Sequence, residues 1–126
     1  DYTMAKYTFV VLSNPTTPGQ EAEYNEWYNK IHIPDVLNVP GFVAAQRFKL
    51  ADAQFGDGPH AHRYLALYEI ETEDAKATLK ELEKRAGTAD MVISDGIDMK
   101  GISVGLFKPV AERVLAKDVQ RPRRAA

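Results

Sequence analysis

Cysteine is absent from these 126 residues. That excludes a disulfide framework, a thiol nucleophile and every cysteine-ligated metal site. No apolar run approaches the ~18 residues of a membrane span, and no segment has the pattern of a secretory leader. Neither sign of charge dominates: sixteen Lys and Arg face eighteen Asp and Glu, for a net charge of -2. A nucleic-acid footprint would need a clustered basic excess. Nucleophile-elbow, Walker and dinucleotide glycine motifs are all missing. What remains is ordinary globular composition, 44% hydrophobic and 27% charged, at a length that fits one domain. The expected location is the cytoplasm. The expected partner is a small organic molecule, with no nucleic acid and no membrane.

Aromatic residues are few, and they gather. The stretch from Glu21 to Phe48 holds the single tryptophan, two of the six tyrosines and one of the three histidines. Stepping 100° per residue from Tyr24 puts Trp27, Tyr28, Ile31 and Asp35 on one helical stripe, with His32 on its flank beside Tyr28. An aromatic helix face ending in a histidine and an aspartate reads as one wall of a pocket.

Taken in order, residues 1–4 read as a cloning remnant with the natural start at Met4. Lys6 to Leu12 reads as a strand. A helix follows from about Gly19, with Thr17 as N-cap and Pro18 in the first turn. Pro34 lacks an amide donor, so that helix ends or kinks near His32, and a short turn runs on to Asn38. Phe42 to Leu50 is the second strand, with Phe42, Ala44, Gln46 and Phe48 on one face and Val43, Ala45, Arg47 and Lys49 on the other. His62 to Ile70 is the third. Thr72 caps a helix over 73–85, which Gly87 ends. Residues 88–98 read as irregular or partly helical, and Gly101 to Lys108 as the fourth strand. Residues 110–126 form a C-terminal extension whose end, with Arg121, Arg123 and Arg124, reads as a disordered basic tail.

The order strand–helix–strand–strand–helix–strand over 5–109 predicts an α+β, ferredoxin-like βαββαβ domain, an antiparallel sheet with both helices on one face. Strands one and four carry apolar residues on both faces, Phe107 opposite Ile102, Val104 and Leu106. Packing the helix-free face on a second copy would cover it, so a homodimer through the sheet is expected.

The run W-Y-N-K-I-H-I-P-D-V-L-N-V-P-G-F-V-A-A-Q-R-F at 27–48 resembles the EthD-like branch of the dimeric α/β-barrel superfamily, whose members carry W-Y-x-x-x-H-x-P followed by V-P-G-F. The resemblance implies a pocket between helices and sheet with the first-helix histidine, His32 here, pointing into it. It spans isomerases, polyketide cyclases, cofactor-free monooxygenases, dehydrochlorinases and haem enzymes, so it does not choose a reaction.

His32 is the leading candidate for acid–base work, since imidazole exchanges protons near neutral pH; the plainer reading is that it closes the helix. Tyr28, one turn earlier, and Tyr68 on the central strand are candidate proton donors, with packing as an equal rival. Tyr24, Trp27, Phe9 and Phe107 are expected to line an aromatic ligand's slot. Arg47 could meet an anionic ligand or make a rim ion pair. Asp35 reads as serving the short turn. His60 and His62 share one side of an extended loop but lack a third ligand, so no metal is expected. The expected activity is proton transfer beside a carbonyl on a cyclic or aromatic compound, by a cofactor-independent isomerase, cyclase or lyase. The alternatives are a dimeric binding protein serving a degradative oxygenase, and a haem-binding member.

Overall fold

The computed structural model describes residues 4–120. The expectations for residues 1–3 and for the arginine-bearing tail from 121 lie outside the described residues. Four strands, β1 (Ala5–Ser13), β2 (Phe42–Lys49), β3 (Tyr64–Thr72) and β4 (Ser103–Phe107), pair antiparallel in the order β2-β3-β1-β4. Helices α1 (Glu21–Trp27), α2 (Ile33–Leu37) and α3 (Ala75–Arg85) connect them. This is the ferredoxin-like α+β arrangement, with the helices on one face of the sheet.

The sheet's two faces differ as alternation dictates. Tyr64, Ala66, Tyr68 and Ile70 of β3 are buried under the helices, and Leu65 and Leu67 point the other way and are only half-covered. On β1, Phe9 and Val11 join the helix side. On β4, Leu106 pairs with Phe9 and Val104 with Val11, so both face the helices. Phe107 pairs with Thr8 on the opposite face and is 59% exposed.

Two local features depart from simple periodicity. The first is a bulge in β2. Phe42 pairs with Ile70, but the next step on β3, Glu69, pairs with Ala44. Val43 is the extra residue. Phe42 therefore shares the helix side with Ala45, Arg47 and Lys49, and Ala44, Gln46 and Phe48 fall on the outer face. Strict alternation had grouped Phe42 with the latter set.

The second is the path of the first helical rod. It opens with a 3-10 turn at Pro18–Gln20, where the Thr17 hydroxyl donates to the Gln20 side-chain oxygen at 3.0 Å rather than capping a backbone amide. The rod does not end at His32. It widens into a π turn over Tyr28–His32 and continues as α2 to Leu37. Within the widened turn the Ile33 amide donates to the Tyr28 carbonyl, five residues back. Proline in a regular helix collides with the carbonyl four residues earlier. The extra residue in the turn gives the Pro34 ring room, so the chain bends its ladder instead of breaking it.

The cap of α3 also moves. Asp74, not Thr72, is the N-cap, its carboxylate accepting from the Ala77 amide at 3.0 Å. Thr72 supports it, its hydroxyl accepting from the Asp74 amide at 3.2 Å. Beyond β4 the chain runs exposed to residue 120, with Val110 and Val114 outside the core.

Candidate active site

The helical rod delivers Tyr24, Trp27 and Tyr28 into the core, each at most 6% exposed. The π turn then decides where His32 goes. In a regular helix a residue and the fifth after it lie well apart in angle; with one more residue per turn they come nearly above one another. Accordingly His32 stacks on Trp27, ring centroids 4.6 Å apart and planes 23° from parallel. It meets Tyr28 edge to face at 5.1 Å and 82°. The Trp27 indole is itself fixed by donating to the Val92 carbonyl at 3.0 Å.

These rings wall a cavity of about 160 Å³ between the helices and the sheet. Phe9, Val11 and Tyr68 form its floor, and Leu82 of α3 closes one side. Met91, Ile93, Ile97 and Ile102, from the irregular chain between α3 and β4, supply the rest. Met99 and Val104 stand half-exposed at its mouth.

Two polar atoms of this wall are buried and lack a hydrogen-bond partner, the His32 Nδ1 and the Tyr68 hydroxyl. Buried polar atoms are nearly always satisfied, so two orphans on residues that line one hollow single out this part of the wall. Burial depresses the His32 pKa to about 4, with the Arg47 charge adding to the effect, so the ring is neutral at pH 7. Burial lifts the Tyr28 phenol to about 12, and burial together with the neighbouring Tyr28 lifts Tyr68 far above the ordinary phenol range. The hollow thus offers one neutral imidazole and protonated phenols, which can accept, donate and relay protons without introducing a charge.

The chain is similar to an ethyl tert-butyl ether d (EthD) family protein from Bacillus halodurans C-125. Their sequences are 14% identical and the TM-score is 0.48, over 85% of this chain and 100% of that one. No family model matches the sequence, and no curated protein does.

Of the residues singled out in the sequence, His32, Tyr28, Tyr68, Trp27 and Phe9 meet at the cavity. Three others lie elsewhere. Tyr24 is fully buried behind Tyr28, and its hydroxyl shares a 2.6 Å hydrogen bond with Ser13. Phe107 is on the outer sheet face, as its pairing with Thr8 requires. Arg47 comes to the helix side through the bulge, but it neither lines the cavity nor forms an ion pair. Its guanidinium lies 4.1 Å over the Tyr28 ring and donates to Asn29 Oδ1 at 2.7 Å and Asn25 Oδ1 at 2.9 Å. Asp35 sits in the first turn of α2, and its carbonyl accepts from the Asn38 amide at 3.2 Å. His62 is tied to the Gly101 carbonyl at 2.6 Å and His60 is exposed. Among the described residues no group of three His, Cys, Asp or Glu side chains could hold a metal ion.

Sequence reasoning missed the Asn25–Arg47–Asn29 clamp and the apolar wall from 91–102. The clamp had a signal, since Asn25 and Asn29 are one turn apart on the rod. The wall had only a run of apolar residues without period.

Proposed function

We propose that this chain is a small enzyme of isomerase, cyclase or lyase type, acting on a cyclic or aromatic carbonyl compound by proton transfer through its own side chains. The observation that carries the reading is that His32 and Tyr68, each with a buried polar atom lacking a partner, line one largely apolar cavity. In the reaction the neutral imidazole takes a proton from the carbon next to the carbonyl, and the electron pair moves onto the carbonyl oxygen. The Tyr68 O–H, with Tyr28 beside it, donates a hydrogen bond to that developing oxyanion. Return of the proton to another carbon completes an isomerisation. Expulsion of a leaving group, which takes the imidazolium proton as it departs, completes an elimination, and attack on a second carbonyl, whose new alkoxide takes that proton, completes a cyclisation. Trp27 and Phe9 hold the ring and keep water out. The working unit is a homodimer packed through the outer sheet face.

The test is hydrogen–deuterium exchange at the carbon next to the carbonyl of acetophenone, followed by proton NMR in D2O. The wild-type chain accelerates exchange, and His32→Ala loses roughly a hundredfold or more of that acceleration. Because the folded His32 pKa is about 4, the exchange rate is flat above pH ~5 rather than rising through the ordinary histidine range.

A second reading, a non-catalytic binding protein, is favoured by one observation: an imidazole with its pKa near 4 is a weak base. In that case His32→Ala changes affinity and no exchange is seen with either chain. The enclosed part of the cavity beside His32, about 160 Å³, is far smaller than a haem macrocycle.

A further inference from the structure

Resting on the proton-transfer reading of this site, we propose that its ligand is a single-ring compound without formal charge, bearing one short carbonyl substituent, and that carboxylates, phosphates and fused-ring compounds are excluded. Size gives the first limit. An apolar cavity of ~150 Å³ accommodates a benzene ring, and this one is about 160 Å³, leaving space for one ring and a few more atoms toward the mouth at Met99 and Val104.

The walls give the second limit. Among the described residues lining the cavity there is no Asp, Glu, Lys or Arg. The polar groups that face it are Tyr28, His32 and Tyr68. Arg47 is the cation that packs on this cluster, and both its terminal nitrogens are already held by Asn25 and Asn29. It contacts Tyr28 through the ring face, and although its Nε is buried without a partner it does not line the cavity, so it is not placed to meet a carboxylate there. An anion entering the hollow would shed its water and meet no counter-charge. A neutral carbonyl loses far less on entry and can accept a hydrogen bond from the phenols of the wall.

The experiment is titration calorimetry of the full chain at pH 7 with acetophenone, benzoate and 2-acetylnaphthalene. Acetophenone binds, and the anion and the fused-ring ketone each bind roughly tenfold more weakly or worse. Tyr68→Phe weakens acetophenone about fivefold. Ala86→Phe, a change at an exposed lining position, abolishes its binding and leaves the circular dichroism spectrum unaltered. Equal or tighter binding of benzoate or of 2-acetylnaphthalene overturns the proposal, as does failure of all three to bind. Acetophenone that binds but does not exchange deuterium removes the enzyme reading and leaves this ligand class standing. Exchange on 2-acetylnaphthalene alone does the reverse.

Discussion

His32 is a basic residue that the fold keeps uncharged, and that choice has a thermodynamic consequence in acid. Its folded pKa of about 4 lies below the ordinary 6.5. Between those values the unfolded chain takes up a proton that the folded chain refuses, so unfolding gains as pH falls. The contribution to stability is fully present above pH 6.5 and is lost progressively toward pH 4. Between pH 7 and pH 5 the loss is about 2 kcal/mol. Urea denaturation at the two pH values reads it directly, and His32→Gln, which does not titrate, should remove that share of the pH dependence. An unchanged slope in the variant would mean that the ring is solvated. Tyr68 contrasts with it: its hydroxyl stays protonated through the accessible range and keeps its donor hydrogen. The position of Tyr68 was legible from sequence, by alternation on a strand buried on one face. The angular step put His32 beside Tyr28, but its stack on Trp27 comes from the widened turn.

At the scale of the element, the π turn and the bulge do the same thing by one inserted residue each. The turn brings His32 over Trp27, and the bulge brings Arg47 to the helix side. Deleting exposed Lys30 should restore regular helical winding and make His32 the fourth residue after Trp27, so the upfield ring-current shift of its protons persists in NMR. The Pro34 ring, now without its extra room, should lower stability by about 3 kcal/mol, read as a lower urea midpoint. The ion pair lost with Lys30, to Glu26 at 3.0 Å, is fully solvent-facing and contributes little.

These insertions mark where sequence reading stopped. Strands β1 to β4 and helix α3 announce themselves through alternation, caps and apolar spacing. A single extra residue has no such signature, because Val43 is as good a strand residue as its neighbours, and Pro34 is compatible with a break as well as a widened turn. The 88–102 segment was opaque for another reason. Its apolar residues have no period, so Met91 and Ile97 read as loop, yet they are buried against the helical layer. Phe107 was readable in register and was still grouped with the slot, since aromatic character alone suggested a ligand contact.

At the scale of the molecule, one sheet face has no helix over it. Val10, Leu12, Leu65 and Leu67 lie there half-covered, with Phe48 and Phe107 more exposed still. A shallow hollow of about 540 Å³ runs across it between Lys6, Gln46, Leu67 and Phe107. Pairing two such faces would bury that surface symmetrically. Sedimentation equilibrium should give twice the chain mass of 14.1 kDa. Leu67→Glu, which sets like charges against each other across a two-fold axis, should give the single mass with the circular dichroism spectrum retained. A wild-type chain that sediments singly at micromolar concentration would refute the pairing. Among the described residues no helix is long and apolar enough to cross a membrane.

The chain has one indole, and it is built into the wall it shares with His32. Red-edge excitation of the native protein therefore lights a single chromophore, and its emission needs no label and no deconvolution. A guest in the hollow, a proton on the neighbouring ring, or solvent at the mouth would each change that one signal, so the molecule carries its own lamp at the place where its chemistry is proposed.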